Sequence, residues 1–104
     1  MNTWVEQLAR LIDAGERAVL VTVAAARGST PRAAGARMIV SATTCHGTIG
    51  GGQLEWLAIS AARALLEVGG PPRLMRLALG PSLGQCCGGI VWLALEGIAP
   101  DSAA

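Results

Sequence analysis

The chain contains no lysine, no phenylalanine and no tyrosine, and its eight basic residues are all arginine. A Walker phosphate loop needs a lysine to reach the terminal phosphates of a nucleotide, and a Schiff base needs a lysine amine. Both kinds of chemistry are therefore excluded. Without Phe and Tyr, the hydrophobic core has to be built from Ala, Val, Leu, Ile, Met and the three tryptophans.

Charge is scarce as well. Charged residues make up 14% of the 104 residues, the formal net charge is +1, and 52% of the residues are hydrophobic. We expect no nucleic-acid partner, because neither a basic surface nor an aromatic-basic pattern for base stacking is present. The length allows one small domain. Its high apolar content predicts that part of the surface faces a partner, either a second copy in a homodimer or another domain.

Signals for export or membrane insertion are also missing. The longest apolar runs are too short to cross a bilayer and are interrupted by Gly or Pro. No basic segment followed by an apolar one stands at the start of the sequence. The three cysteines, Cys45, Cys86 and Cys87, are odd in number and two of them are adjacent, which is not a disulfide framework. We therefore expect a protein of the reducing cytoplasm, without a membrane partner.

Hydrophobic periodicity and the positions of Gly and Pro predict the order of the elements. An apolar stripe at helical spacing indicates a first helix that ends before Gly15, and a longer stripe indicates a second helix that ends at a Gly-Gly-Pro-Pro segment. The uninterrupted apolar run after Arg17 is typical of a strand buried on both faces. The predicted elements are a helix over 3–14, strands over 18–24 and 37–40, a helix over 53–68, and strands over 73–79 and 90–96. Whether the first residues of the glycine segment, after Cys45 and His46, form a further short strand is left open.

This order predicts an α/β fold: a single small domain with a mixed β-sheet flanked by two helices. Residues 1–98 are assigned to that domain. Residues 99–104, which contain Pro, Asp, Ser and Ala, are expected to be a linker or a chain end.

A glycine segment over 47–55 precedes the second helix. Gly50, Gly51 and Gly52 have no Cβ, so their N–H groups can converge on an anion, and the start of the helix adds partial positive charge. The spacing differs from the dinucleotide-binding fingerprint. The alternative is a tight crossover that needs glycine only for packing. Glu55 in the first helical turn is favourable in any protein and would be functional only if it faced a ligand.

A second polar segment, 28–32, follows the first strand. Ser29 and Thr30 supply hydroxyl groups, and Arg32 supplies a guanidinium that can bind a phosphate or a carboxylate through two hydrogen bonds. The alternative is an ordinary solvated turn.

The third segment, 79–89, carries Cys86 and Cys87 between glycines. Adjacent cysteines do not form a normal structural disulfide with each other. An accessible thiolate can bind a soft metal or accept a sulfur atom, whereas a buried thiol would be only a small core residue. Cys45 and His46 have no further ligand at zinc spacing, so no zinc site is expected there. His46 is expected to be a loop residue rather than a general base.

Three motifs together carry a resemblance. Residues 28–32 with 35–38, residues 47–55, and residues 79–81 with 83–89 resemble the amino-terminal domain of the XdhC/CoxI family. Members of this family are accessory proteins of xanthine dehydrogenase and related molybdenum hydroxylases. The adjacent cysteines after Gln85 resemble the XdhC branch. The carboxy-terminal Rossmann-like domain that is usual in the family is absent from these 104 residues.

The resemblance implies a chaperone of the molybdenum cofactor (molybdopterin) rather than an enzyme. Such a protein binds the cofactor, protects it while a cysteine desulfurase supplies its terminal sulfur, and delivers it to xanthine dehydrogenase or a related hydroxylase. It implies that no residue is catalytic and that the thiols of Cys86 and Cys87 approach the sulfur or the metal. The cofactor phosphate would lie at the backbone of Gly50 to Gly52 and at Arg32. The implied cofactor-binding residues are Ser29, Thr30, Arg32, Thr48, Gly50, Gly51, Gly52, Gln53, Glu55, Gln85, Cys86, Cys87 and Gly88.

Two other functions remain open at this point. One is a thiol-dependent sulfurtransferase that carries a persulfide on Cys86 or Cys87 for cofactor sulfuration. The other is a docking or dimerisation module that binds no cofactor, which the high apolar content favours.

Overall fold

The computed structural model describes residues 4–28, 34–78 and 89–99. Its elements are α1 (Trp4–Asp13), β1 (Ala18–Arg27), β2 (Arg37–Val40), β3 (Cys45–Gly47), α2 (Gly52–Val68), β4 (Arg73–Ala78) and β5 (Ile90–Ile98). The predicted α/β class, with one sheet and two helices, is confirmed for these residues. Neither described helix combines the length and the apolarity that crossing a bilayer requires.

The five described strands form one sheet in the order β3-β2-β1-β5-β4. All four pairings between neighbours are antiparallel, where the sequence had indicated a mixed sheet. The reason lies in the connections. A parallel pair needs a long crossover between neighbouring strands. Here the long crossover, α2, instead connects β3 at one edge with β4 at the opposite edge, so it joins strands that are not neighbours.

The central strand β1 is covered on both faces, as predicted. Val19, Val21 and Val23 are buried in one hydrophobic cluster with α2, whereas Ala18 and Leu20 are buried in a second cluster. Since successive side chains of a strand point to opposite faces, α1 and α2 lie on opposite sides of the sheet. The second cluster consists of Ala18, Leu20 and Ile39, with Leu8 and Leu11 of α1 packed against it.

The start of α1 is held by an aromatic contact. The guanidinium carbon of Arg37, the first residue of β2, lies 4.9 Å from the ring centre of Trp4. The Arg37 Nη1 also donates a hydrogen bond of 3.2 Å to the carbonyl of Gly35. This cation–π contact fixes α1 over β2, since Arg37 belongs to the sheet.

β1 and β5 are each longer than the sequence indicates. β1 continues to Arg27 through a register shift between Val23 and Ala25, and its last residues pair with the start of β5. The sequence prediction ended β1 at residue 24, and the alanines that follow at 25 and 26 have a low strand propensity. Pairing with β5 overrides that local preference, and it also extends β5 to Ile98, opposite Ala18.

We predict that truncating Leu93 of β5 destabilises the domain. Leu93 is fully buried in the larger cluster, so Leu93→Ala should lower the free energy of unfolding in urea by about 2–5 kcal/mol. Val68→Ala is the matched control, because Val68 is 85% exposed and its loss should change stability by less than about 0.5 kcal/mol. Equal losses in the two variants would contradict the assigned core.

Candidate functional site

The connection between β3 and α2 requires glycine at several positions. Gly47, Gly50, Gly51 and Gly52 have φ angles of +84°, +124°, +77° and +63°. Residues with a side chain rarely adopt this region, so the turn can follow its path only with glycine there. Ile49, in the middle of the turn, is fully buried and anchors it to the core.

Gly47 has a second, steric requirement. A Cβ at this position would lie 2.7 Å from the carbonyl oxygen of Arg37 and 3.2 Å from the Cα of Met38. Gly47 pairs directly with Met38, so the missing side chain lets β3 lie against β2. At this position glycine therefore serves strand pairing and not a ligand.

The anion held by the turn is the chain's own Glu55. Its Oε2 accepts hydrogen bonds from the Thr48 hydroxyl at 2.6 Å and from the Gly51 N–H at 2.7 Å, with a longer contact of 3.4 Å from the Ile49 N–H. The Gly50 N–H donates to the Thr48 hydroxyl oxygen at 3.1 Å. Hydrogen bonds to a carboxylate are stronger than neutral ones, and the start of α2 favours a negative charge.

This arrangement changes the interpretation of the glycine segment. The N–H groups of Gly50 and Gly51, which were expected to bind a phosphate, already donate within the chain. By helix geometry the N–H groups of Gly52 and Gln53 have no acceptor inside α2. They stand beside an open hollow of about 440 Å³ that is lined by Gly52, Gln53 and Trp56. An external anion would meet this first turn of α2 and not the glycines that precede it.

Trp56 was not among the residues selected from the sequence. Its side chain is 64% exposed at the rim of this hollow, although it is a large hydrophobic group. The helical spacing of the sequence could have identified Trp56, because it lies outside the apolar stripe of α2. The buried members of that stripe are Leu54, Ala58, Ala62 and Leu65. An indole in that position can stack on a planar ring.

The cysteine and histidine of β3 have structural neighbours. Cys45 is exposed, and its sulfur lies 3.7 Å from Nη2 of Arg63. Nε of Arg63 donates to the carbonyl of Ser41 at 3.2 Å. His46 lies in β3 opposite Ile39 and is not a loop residue. Within the described ranges, no three His, Cys, Asp or Glu residues are placed to hold a metal ion.

The other two predicted parts of the site lie outside the described residues. These are Ser29, Thr30 and Arg32 after β1, and Gln85, Cys86, Cys87 and Gly88 before β5. Their flanking residues are placed, however. Arg27 at the end of β1 pairs with Ile90 at the start of β5, and Ile90 pairs with Ala78 at the end of β4. These three residues are therefore level with each other at one end of the sheet.

The glycine turn leaves the sheet toward that same end. β3 runs antiparallel to β2, and β2 runs antiparallel to β1, so Gly47 ends β3 in the direction in which β1 ends. The Gly35 N–H donates to the carbonyl of Val23 at 2.8 Å, so Gly35 lies beside β1 again just before β2 begins. All three sequence motifs are therefore attached toward the same end of the sheet, although Gly47 lies level with Val21, six residues before Arg27.

We predict that Glu55 stabilises the turn. Glu55→Ala should lower the free energy of unfolding by about 1.5–3 kcal/mol, because it leaves partly buried donors without their charged acceptor. Glu55→Gln, which keeps an acceptor oxygen, should lose less. Glu67→Ala, an exposed carboxylate on the same helix, is the control for urea denaturation. A turn that needs no internal anion would give Glu55→Ala and Glu67→Ala the same stability.

A family model and a solved structure are similar to the chain. The model of the XdhC and CoxI family matches residues 11–78 of the chain, which includes the segments 28–32 and 47–55 and ends before the cysteines at 86 and 87. A solved structure from Bacillus halodurans, described as a xanthine dehydrogenase, is similar over 92% of this chain, with 26% sequence identity and a TM-score of 0.78.

The alignment spans 30% of the Bacillus halodurans chain. No curated protein matches the sequence significantly. The family match covers more than half of the chain, and the structural similarity covers nearly all of it. The chain therefore belongs to the XdhC and CoxI family.

Proposed function

We propose that the chain is an accessory module of xanthine dehydrogenase or a related molybdenum hydroxylase. In this role it binds the molybdenum cofactor (molybdopterin), protects it during sulfuration and delivers it to the hydroxylase. Family membership and the similarity to a structure described as a xanthine dehydrogenase support an accessory role. The observation that supports cofactor binding is that all three motifs are attached to strands toward the same end of the sheet.

The described residues fit the anionic and ring portions of such a cofactor. The Gly52 and Gln53 N–H groups offer donors at the positive end of α2, and Trp56 offers a ring face. Because Glu55 occupies the preceding turn, we propose that the cofactor phosphate contacts Gly52 and Gln53 and leaves the Glu55 contacts intact. The bound cofactor would supply the molybdenum chemistry, and the chain would position it.

The role proposed for the thiols of Cys86 and Cys87 rests on the sequence. Cys86 and Cys87 follow Gln85 in the segment between Ala78 and Ile90, which pair with each other at the end of the sheet where Ile90 also pairs with Arg27. We propose that one of them approaches the molybdenum or its sulfur. A cysteine desulfurase and a second copy of the chain are the further partners proposed, in the cytoplasm.

One observation favours the docking module as a second candidate function. The N–H groups of Gly50 and Gly51 are satisfied within the chain, as they would be in a turn that serves only packing. A module that docks onto a hydroxylase without cofactor would need nothing more from this segment.

We predict that the protein retains molybdopterin when it is expressed in a host that makes the cofactor and is purified without oxygen. Fluorescence of the released, oxidised pterin should give about one pterin per chain. Gln53→Glu should lower retention about tenfold, equivalent to roughly 1.4 kcal/mol, because a carboxylate beside the hollow repels the phosphate. Ser60→Glu, on the exposed part of the same helix, is the control.

Absence of pterin from anaerobically purified protein would contradict cofactor binding and favour the docking module. Equal retention in Gln53→Glu and the control would remove the first turn of α2 from the site.

A second prediction concerns the thiols. Cys86→Ser and Cys87→Ser, made separately, should reduce the activation of apo-dehydrogenase in at least one case, while Cys45→Ser should leave it unchanged. Mass spectrometry after incubation with a desulfurase and cysteine separates the two thiol roles, because a sulfur carrier gains about 32 Da, the mass of one sulfur atom. Normal activation by both variants would exclude a role for these thiols.

A further inference from the structure

The two helices differ in how firmly they are held on the sheet. Leu54, Ala58 and Ala62 of α2 are at most 1% exposed and belong to the larger hydrophobic cluster. The most buried residue of α1 is Gln7, which is 8% exposed and polar. Burial of apolar area is the main force that holds a helix on a sheet, so α1 is held less strongly than α2.

The apolar contact beneath α1 is small. It consists of Ala18, Leu20 and Ile39 of the sheet, with the partly buried Leu8 and Leu11 of α1 packed against them. A helix of ten residues is marginal in water by itself, so its stability depends on this packing.

A second contact holds the first turn of α1. The Arg37 guanidinium lies over the Trp4 ring, which remains 37% exposed. A cation–π contact is weak where water reaches it. It can therefore act as a latch that keeps α1 on β2 without making the attachment permanent.

The end of α1 is closed by hydrogen bonds within the helix itself. The Gly15 N–H donates to the carbonyl of Ile12, and the Glu16 N–H donates to the carbonyl of Leu11, both at 2.9 Å. Gly15 has a φ angle of +78°, which is the geometry of a Schellman helix end. The termination of α1 therefore does not need the sheet.

The next residue is anchored to α2 instead. Nη2 of Arg17 donates to the carbonyl of Leu66 at 2.7 Å, and β1 begins at Ala18. A movement of α1 away from the sheet would therefore stop between Glu16 and Arg17. This leaves β1 in place and makes the short connection after Gly15 a hinge.

We propose that α1 is a hinged cover, which leaves the sheet as one unit while α2 and the five strands stay folded. Such local opening occurs where few apolar contacts hold an element. It would expose Leu20 and Ile39, on the side of the sheet where Leu74 of β4 is already 67% exposed. α1 would thus control access to an apolar face of the sheet. This inference does not rest on cofactor binding.

Hydrogen exchange followed by NMR on the full 104-residue chain tests the proposal. At low urea concentrations, the amides of residues 8–13, which donate within α1, should lose protection together. Their protection should be at least about tenfold lower than that of the paired amides of β1 and β5, which need global unfolding to exchange.

Two pairs of variants separate opening of α1 from unfolding of the domain. Leu8→Ala should lower protection in α1 alone, whereas Val91→Ala, in the larger cluster, should lower it in β1 and β5 alone. Arg37→Gln removes the latch and should speed exchange in α1 about two- to fivefold. Arg73→Gln, at the exposed start of β4, is its matched control and should leave α1 unchanged.

Equal protection in α1 and in the β1–β5 pair would overturn the proposal, because α1 would then open only with the whole domain. Absence of protection throughout α1 would overturn it as well, since the helix would have no closed state. Pterin retention is measured separately, so its failure would overturn the proposed function and leave the cover in place.

Discussion

The burial of β1 on both faces is the constraint on which the rest of the structure depends. Ala18 through Val21 are all buried, so each face of this strand needs a helix, and each side needs a neighbouring strand. α1 and α2 supply the two faces, and β2 and β5 supply the two sides. The ends of the other strands, and the motifs attached to them, are positioned through these contacts.

Much of this organisation could be predicted from the sequence. Periodicity located both helices and four of the five strands, left the short β3 open, and indicated the two-sided strand after Arg17. The antiparallel pairing could not be read in the same way, because it depends on which strands α2 connects. The length of β1 was underestimated for a related reason, since pairing with β5 decides it.

The glycine turn shows the same limit at the candidate site. The glycines adopt positive φ angles before α2, and the N–H group of Gly51 donates to a carboxylate of the chain itself. Local sequence does not show which anion, because the hydrogen bonds to Glu55 depend on how its side chain folds back onto the turn. Because the carboxylate is internal, the hydrogen bonds of the turn form without a ligand, and a ligand at the candidate site would meet a backbone that is already held in place.

The position of β5 has a consequence for how the chain folds. β5 lies between β1 and β4, so the last described strand completes the sheet next to the first one. Pairs such as Ala18 with Ile98 join residues that are far apart in sequence, and such contacts slow folding. During synthesis, β1 therefore has an unpaired edge until residue 98 has left the ribosome. An unpaired strand edge can pair with another chain, so β5 removes this risk for β1 once it is in place.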